Sequence, residues 1–355
     1  MQRSPDRLLS LDVFRGATVA AMLLVNNPGS WGAIYAPLAH AEWHGWTPTD
    51  LIFPFFLFVV GITTELSRKE PRGIVRRGAI IVLLGLLLNA FPFYWWGKME
   101  GDPSFLDRVL WRFEHLRFMG VLQRIGIVYG VTALIAWKAS RRLMMIVAAA
   151  ILIAYAAILM QGPLAPPEAT IAARVDRAVL GEKHIWSSTK TWDPEGPLST
   201  LPAVATCLLG VLAAPLIRSP KLALYGIAGV IAGLIWDRWL PINKNLWTSS
   251  YVLFTAGFAC VLLALCVWVI DVRQLRGWTR PFVVYGVNPM VAFVGSGMLA
   301  RILSITKWQG WSYREWFAPY LEPPKLASLA WGLSFVGLWL AILWVLHRRG
   351  IVLKV

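Results

Sequence analysis

An eleven-residue run without a polar side chain reads Leu51-Ile52-Phe53-Pro54-Phe55-Phe56-Leu57-Phe58-Val59-Val60-Gly61. Directly before it stands a polar and aromatic segment, His40-Ala41-Glu42-Trp43-His44-Gly45-Trp46-Thr47-Pro48-Thr49-Asp50. A membrane helix needs about 20 largely apolar residues, and the apolar pattern extends here over residues 50–67. The stretch therefore predicts a membrane helix whose mouth carries two histidines and a carboxylate.

Composition extends this prediction to the whole chain of 355 residues. Hydrophobic residues make up 57% and charged residues only 15%, against about 25% charged residues in soluble domains. Mean hydropathy is +0.58. These values predict an all-α, polytopic integral membrane helical bundle, formed as a single domain over residues 1–355. The formal net charge of +15 is interpreted as a topology signal, and no nucleic-acid partner is expected.

Ten stretches satisfy the length rule for a membrane-spanning helix. They are residues 11–28, 50–67, 73–93, 118–137, 142–161, 198–217, 221–240, 248–270, 281–301 and 327–347.

The lysines and arginines orient these ten spans. With the N-terminus inside, the inner segments hold 18 basic and four acidic residues, whereas the outer segments hold 14 of each. Positive residues accumulate on the cytoplasmic side of membrane proteins. The pattern therefore predicts that both termini are cytoplasmic and that His40 and His44 face the opposite compartment.

His40, His44 and Asp50 are the candidate chemical groups at that outer face. Imidazole is the side chain best suited to moving a proton near neutral pH, and an ionisable group at the edge of an apolar run suggests function. The alternative is that both histidines only occupy a wet interface. A zinc site is disfavoured because Gly45 and Pro48 argue against a regular helix that would align the histidines, so no metal is expected.

Two arginines interrupt predicted membrane spans. Arg15 lies three residues from Asp12 and can pair with it, or it can bind a phosphate that enters from the cytoplasm. Arg124 must find an anion or backbone carbonyls within its span. A phosphate-bearing cofactor and a protein carboxylate are both candidate partners for Arg124.

The 20 tryptophans are concentrated in the predicted outer loops and outer helix ends. An aromatic belt at the headgroup level explains part of this pattern, and a platform for sugar rings is the alternative. Three polar segments interrupt the apolar pattern on the same predicted side, at 193–200, 241–248 and Asn288-Pro289. Each can be only a cap or a turn, and the alternative is a cavity that the three share with the histidines.

Several motifs of the chain, taken together, resemble one known family. They are Arg7-Leu8-Leu9-Ser10-Leu11-Asp12-Val13-Phe14-Arg15-Gly16, Val25-Asn26-Asn27, the His40 to Thr47 segment with Asp50 to Pro54, Leu116-Arg117-Phe118-Met119-Gly120-Val121-Leu122-Gln123-Arg124, Asp193-Pro194-Glu195-Gly196 and Pro241-Ile242-Asn243-Lys244-Asn245-Leu246-Trp247. In this order they resemble the bacterial members of the heparan-alpha-glucosaminide N-acetyltransferase family of transmembrane acyltransferases.

The resemblance implies an acyl-CoA-dependent N-acetyltransferase of the bacterial cytoplasmic (inner) membrane. Such an enzyme takes acetyl from cytoplasmic acetyl-CoA and delivers it to the amino group of an amino sugar or glycan on the periplasmic side. The family's catalytic histidine falls on His40 and its catalytic asparagine on Asn26. Expected partners are acetyl-CoA, the acceptor and the lipid bilayer, with a homodimer as a possible assembly.

Chemical roles follow for the candidate residues. His40 acts as base or as nucleophile that forms an acetyl-histidine, Asp50 orients its ring, and Asn26 donates to the developing oxyanion. Arg15, Arg124, Lys244 and Asn243 are the candidates for binding coenzyme A. The candidates for binding the acceptor are Trp43, His44, Trp46, Glu195, Asn245 and Trp247. Two alternatives stay open, an O-acyltransferase that acts on a glycan or lipid hydroxyl and a secondary transporter without chemistry.

Overall fold

The computed structural model describes residues 8–67 and 69–353, and within them every regular element is helical. Fourteen α-helices are described there: α1 (Leu9–Asn26), α2 (Ile52–Leu66), α3 (Pro71–Ala90), α4 (Phe105–Glu114), α5 (Val121–Lys138), α6 (Arg141–Leu159), α7 (Ile171–Leu180), α8 (Pro197–Ala213), α9 (Lys221–Trp236), α10 (Ser249–Cys266), α11 (Arg280–Val287), α12 (Pro289–Ile305), α13 (Trp308–Trp316) and α14 (Pro324–Arg348). The predicted all-α class is confirmed. Four basic residues used to orient the chain, Arg3, Arg7, Arg68 and Lys354, lie outside the described residues.

Eight helical segments among the described residues are long and apolar enough to cross a membrane. They coincide with eight of the ten predicted spans, so the prediction of a polytopic helical membrane protein is confirmed. The segment predicted as 221–240 contains α9, an apolar helix of only 16 residues. The assignment of the termini to the cytoplasmic side stays a prediction.

The predicted span 281–301 consists of two helices, α11 and α12, bent by 83°. The bend falls at Asn288-Pro289, where proline removes a helical N–H and clashes with the preceding turn. The Asn288 side chain donates to the carbonyl of Ile351 at 3.0 Å and accepts from the amide of Leu353 at 3.0 Å. These two bonds tie the bend to the C-terminal segment, which hydropathy along the chain does not reveal.

The described chain divides into two compact units. The first consists of residues 8–41, 46–56 and 261–353 and includes α1 and α11 to α14. Within it α1 packs most extensively on α11. The two backbones touch because glycines face each other, and a Cβ built on Gly16 would lie 1.7 Å from the carbonyl oxygen of Phe282. Small residues allow such close approach between membrane helices.

The second unit consists of residues 42–45, 57–67 and 69–260 and includes α3 to α9. Here α3 packs along α5, and a Cβ built on Gly126 would lie 2.7 Å from the carbonyl oxygen of Gly78. Helix α8 packs against α5, α6 and α7. This places the segment before α8, residues 193–196, against the start of α5. The prediction of one domain over residues 1–355 stays a prediction.

Two short helices, α4 and α7, occupy stretches that the sequence predicted only as long outer loops. The α4 helix begins with a capping box in which the Ser104 amide donates to Asp107 at 2.9 Å. Its Arg112 donates to the carbonyl of Ala90, at the end of α3, at 3.1 Å. At ten residues each, these helices are too short for the span-length rule to detect, and tertiary contacts stabilise them.

Candidate functional site

The loop that carries His40 is shaped by two short 3₁₀ turns, Ala36–Leu38 and Pro48–Leu51. The second turn begins with a proline, whose fixed φ suits a first helical position, and it leads directly into α2. The Thr47 hydroxyl donates to the carbonyl of Ala39 at 2.6 Å, and the Thr49 hydroxyl donates to that of Pro37 at 3.0 Å. The two turns are thereby tied together, with His40 between them.

Asp50 is hydrogen-bonded to the His40 ring. Its carboxylate is 1% exposed and lies 2.6 Å from His40 Nδ1 through Oδ1. The other oxygen, Oδ2, accepts from the amides of Ala41 at 3.0 Å and Thr47 at 2.9 Å. An ionised carboxylate only accepts hydrogen bonds, so a neutral His40 ring bonded to an ionised Asp50 carries its proton on Nδ1 and its lone pair on Nε2. The His40 side chain is 45% exposed, so its ring is accessible to a reactant.

Asn26, the second predicted catalytic residue, is the last residue of α1, and its side chain is exposed. No hydrogen bond joins it to His40 within residues 8–67 and 69–353. The neighbouring Asn27 is buried and donates to the carbonyl of Leu23 at 2.7 Å, which ends the helix. Of these two asparagines, Asn26 is therefore the one available to a ligand.

Arg15 lies near the opposite end of α1, about 16 Å from Asn26 along the helix axis. Its Nη2 donates to Asp12 Oδ1 at 3.0 Å, so the predicted pairing across one helical turn is present. The Arg15 side chain is 24% exposed. The Arg15 side chain is therefore only partly buried beside the pair.

His44 belongs to the second unit, where residues 42–45 pack on the segment 241–248. The Gly45 amide donates to the carbonyl of Ile242 at 2.8 Å, and His44 Nδ1 lies 3.4 Å from Asn243 Nδ2. Burial lowers the pKa of His44, and the charge of Asp237 opposes this effect. His44 is thus anchored on a turn and favours the neutral imidazole.

Asn243 is a turn-forming residue that is fully buried. Its Oδ1 accepts from the Leu246 amide at 2.8 Å, and its own amide donates to the Thr248 hydroxyl at 3.1 Å. Asparagine side chains commonly close turns in this way. Lys244 and Asn245 lie half-buried at the turn.

The predicted aromatic residues separate by environment. Trp43 donates through Nε1 to the carbonyl of Leu164 at 2.8 Å and contacts Trp192 edge-on, with ring centroids 5.2 Å apart. Trp46 belongs to the first unit and is 40% exposed. Trp247 is 1% exposed, in the core of the second unit. Trp46 therefore presents the largest accessible ring of the three.

Glu195 is part of a buried charge network centred on Arg117. The guanidinium donates to Asp193 through Nε at 2.8 Å and Nη2 at 2.6 Å, and to Glu195 through Nη2 at 2.5 Å. Although burial acts to lower it, the hydrogen bonds and charges of Asp193 and Glu195 raise the pKa of Arg117 above its ordinary value. Glu195 is thus neutralised by an arginine within the chain.

Arg124 is fully buried on α5, beside the same network. Its Nη2 donates to the Ser199 hydroxyl and to the carbonyl of Gly196 at 3.3 Å. The guanidinium lies 5.0 Å from the centroid of the Trp247 ring, a cation–π arrangement. A protein environment of carbonyl, hydroxyl and aromatic ring therefore surrounds Arg124.

Asp176 on α7 completes the network. It is 2% exposed and accepts from the Asp193 amide at 2.9 Å. Burial raises the pKa of Asp176 to about 7, and the negative charge of Asp193 adds to this effect. The carboxyl group therefore titrates near neutral pH.

No role was predicted from the sequence for Arg117, Asp193 or Asp176. The sequence did contain a signal for an ion pair between Arg117 and Asp193. Arg117 stands shortly before α5, and the oppositely charged Asp193 and Glu195 stand shortly before α8. Asp176 gives no such signal, because its burial depends on how α7 packs. Among the described residues, no group of three or more histidine, cysteine, aspartate and glutamate side chains lies close enough to hold a metal ion.

Comparisons with known proteins support the resemblance drawn from the motifs. Residues 7–175 match the family model described as "Heparan-alpha-glucosaminide N-acetyltransferase, catalytic". The chain is 28% identical over 420 aligned residues to heparan-alpha-glucosaminide N-acetyltransferase of Mus musculus, covering 99% of this chain and 61% of the mouse protein. It is 28% identical over 419 residues to the Homo sapiens protein of the same name, covering 99% and 60%. The chain thus spans about three fifths of the length of these relatives, and the resemblance to this family is confirmed.

Proposed function

Proceeding from this similarity, we propose that the chain is a transmembrane acetyltransferase. Its acetyl donor is cytoplasmic acetyl-CoA, and its acceptor is the amino group of an amino sugar or glycan on the periplasmic side of a bacterial inner membrane. The family similarity supports the reaction class. The observation that carries the proposal is the His40–Asp50 pair at 2.6 Å, in a loop at the mouth of α2.

His40 Nε2 is the reactive atom in this proposal. Asp50 holds the proton on Nδ1, so the lone pair of Nε2 can take a proton from the acceptor amine. The amine nitrogen then bonds to the thioester carbonyl carbon, the carbon–sulfur bond breaks, and the proton passes to the departing coenzyme A thiolate. General base catalysis of this kind contributes about 10²–10⁴-fold.

The same lone pair supports a two-step route. Nε2 attacks the thioester, the coenzyme A thiolate leaves, and an acetyl-histidine forms at residue 40. The amine then attacks the acetyl group and displaces Nε2, whose freed lone pair takes the amine proton and passes it to the coenzyme A thiolate. The ring keeps its hydrogen bond to Asp50 through Nδ1 throughout. Both routes need the Nδ1-protonated ring, so the Asp50 contact is common to them.

Asn26 is proposed to donate to the oxyanion that forms on the thioester carbonyl. It is exposed, and its side-chain amide makes no hydrogen bond in the described part of the chain. One such donor is worth about 3 kcal/mol of transition-state stabilisation. The His40 loop and the end of α1 would approach each other around the reacting carbonyl.

Four residues are proposed to bind coenzyme A, and they differ in accessibility. Arg15, with 24% of its side chain exposed, and the half-buried Lys244 can contact a phosphate directly. Arg124 and Asn243 are fully buried and would act on the donor through charge and through the shape of the 241–248 turn. Direct phosphate contact is therefore assigned to Arg15 and Lys244.

Six residues are proposed to form the acceptor side, and they divide in the same way. Trp46, in the first unit, and Asn245, in the second, each have accessible surface for a sugar ring, and Trp43 and His44 precede Trp46 in the sequence. Glu195 and Trp247 are buried, so their proposed role is to hold the acceptor-binding residues in position without contacting the acceptor.

The assembly of the chain as a homodimer stays a prediction.

The test is acetyl transfer by the purified protein in nanodiscs, with labelled acetyl-CoA and a panel of amino sugars and matched hydroxyl sugars. His40→Ala is expected to lose about 10²–10⁴-fold in kcat while retaining acetyl-CoA binding. His347→Ala, which removes an imidazole from the end of α14, is the matched control and should retain activity. Wild-type turnover in His40→Ala would overturn the proposal.

The acceptor panel and an uptake assay distinguish the N-acetyltransferase from an O-acyltransferase and from a transporter, and mass spectrometry distinguishes the two routes of transfer. Transfer to hydroxyl sugars alone would identify an O-acyltransferase. Uptake of an amino sugar into proteoliposomes without acetylation would identify a transporter. Mass spectrometry of protein quenched after acetyl-CoA addition, without acceptor, detects acetyl on residue 40 in the two-step route and none in direct transfer.

A further inference from the structure

An open groove lies in the first unit, at the end of α1 that carries Asn26, and its empty space is about 290 Å³ with open solvent included. Its apolar lining includes Leu24, Val25, Ile34, Leu38 and Leu329. All five side chains are half-buried, so each retains accessible apolar surface. Because that space includes open solvent, the groove does not enclose a whole ligand, and a segment of hydrocarbon chain laid along its apolar side chains suits it better.

The polar side chains that line the groove are those of Tyr35, Lys325 and Ser328. Ser328 is occupied, because its hydroxyl accepts from the Ser30 amide at 3.0 Å and donates to the Ser30 carbonyl at 3.2 Å. Lys325 is exposed at the edge, and it forms no ion pair with any residue that the structure describes. A single ammonium group beside an apolar groove is complementary to a ligand with one anionic group attached to a hydrocarbon chain.

Residues of two candidate membrane spans line this groove. Leu24 and Val25 lie in the last turn of α1, and Lys325 and Leu329 lie in the first two turns of α14. The ends of spanning helices lie at the level of the lipid headgroups. A hydrocarbon chain can therefore enter the groove from the bilayer, while a phosphate at the headgroup level meets Lys325.

The groove is also close along the chain to His40, which carries the proposed reactive atom. Leu38 lines it, and His40 is two residues further on, within about 7 Å along an extended backbone. The hydrogen bonds from Thr47 to Ala39 and from Thr49 to Pro37 hold this segment in place. A polar headgroup on a lipid seated in the groove would therefore lie beside His40.

We propose that the groove binds the lipid chain of a membrane-anchored acceptor, in which a phosphodiester links the lipid to the amino sugar. Lys325 pairs with the phosphodiester and the amino group reaches His40. This inference rests on the proposed function and names its substrate class. The nitrogen–carbon bond of the amide forms, the carbon–sulfur bond of acetyl-CoA breaks, and the amine proton passes through His40 to the thiolate.

The experiment compares two acceptors with the full-length protein in nanodiscs and labelled acetyl-CoA. One is glucosamine joined through a phosphodiester to a diacylglycerol, and the other is free glucosamine. The wild-type protein is expected to show at least about tenfold higher kcat/KM for the lipid-linked acceptor, a difference of about 1.4 kcal/mol.

Two variants test the groove itself. Lys325→Gln removes the charge, and Leu329→Trp fills the apolar lining. Each is expected to lower kcat/KM about tenfold for the lipid-linked acceptor and to change it less than twofold for free glucosamine, which also shows that the variants are folded. The matched controls are Lys98→Gln, at an exposed lysine of the second unit, and Leu333→Trp, at a leucine of α14 that is 51% exposed. Both control variants should leave kcat/KM unchanged for the lipid-linked acceptor and for free glucosamine.

Each contrary result has a distinct meaning. Equal kcat/KM for the two acceptors, or groove variants that leave the lipid-linked acceptor unaffected, overturns the inference and leaves the proposed function intact. Retention of ordinary phospholipid by the groove in native mass spectrometry, without any acceptor preference, also overturns it. No transfer to amine acceptors of either kind overturns both the inference and the proposed function.

Discussion

The guanidinium of Arg117 binds the carboxylate of Asp193 with two parallel hydrogen bonds, Nε to Oδ2 at 2.8 Å and Nη2 to Oδ1 at 2.6 Å. Asp193 is fully buried, and Arg117 is 21% exposed. This pair fixes the segment before α8 against the segment before α5, and Glu195 shares the same guanidinium. The geometry requires the planar fork of an arginine.

Arg117→Met should therefore destabilise the protein by about 3–5 kcal/mol, because Asp193 and Glu195 would be left as buried charges without their cation. Thermal unfolding of the detergent-solubilised protein measures this loss. Arg117→Lys keeps the charge without the fork and should give an intermediate Tm. Glu114→Gln breaks an exposed pair with Lys183 and should leave Tm unchanged; a Tm loss equal to that of Arg117→Met would refute the distinction.

Asp50→Asn should lower kcat by about 10²–10⁴-fold with little change in the KM for acetyl-CoA. The Ala41 and Thr47 amides both donate to Oδ2, so the amide oxygen of an asparagine takes that position. Its NH₂ group then faces His40 Nδ1 and donates to it, which moves the ring proton to Nε2 and removes the reactive lone pair. The measurement is steady-state kinetics across pH.

The control for this substitution is Asp107→Asn, at an exposed helix cap on α4, and it should retain full activity. Unchanged kcat in Asp50→Asn would show that the tautomer of His40 does not matter for the reaction.

The raised pKa of Asp176 predicts that the stability of the folded protein depends on pH. Its pKa is raised from about 4 in the unfolded chain to about 7 in the folded protein, so the folded state favours the protonated form. Its stabilising contribution is complete below about pH 4 and is lost as the pH rises through about 7. Asp176→Asn mimics the protonated form, and its Tm should fall less than that of the wild-type protein between about pH 5 and pH 8.

Asp102→Asn, at an exposed loop position, is the control and should keep the pH dependence of the wild-type protein. Identical pH dependence in Asp176→Asn and the wild-type protein would assign the effect to another group.

Gly16→Ala should destabilise the α1–α11 contact, because the added Cβ would lie 1.7 Å from the Phe282 carbonyl oxygen. Such overpacking costs about 1–3 kcal/mol, or more where backbone must move. Gly337→Ala on α14 meets nothing within 4 Å and should be neutral or stabilising by up to about 1 kcal/mol. Paired Tm measurements test the contrast, and equal effects would contradict the close packing.

The amino-acid sequence by itself determined the membrane class, eight of the ten predicted spans and the juxtaposition of His40 with Asp50. These features are local: a span needs only its own run of apolar side chains, and residues 40 and 50 are held together by turns that Thr47 and Pro48 encode. The 83° bend at Asn288 and the helices α4 and α7 were not predicted, because none of them has the length or hydropathy of a continuous span.

Tertiary structure alone decided which charged residues are neutralised and which are accessible. The sequence predicts that Arg124 can bind a phosphate, but in the structure Ser199, Gly196 and Trp247 surround its guanidinium. The predicted acceptor residue Glu195 is bound by Arg117. These partners lie up to 123 positions away, and hydropathy along a chain carries no information on which distant segments will pack together. The environment of a buried charge depends on that packing, and so does the chemistry left for it to perform.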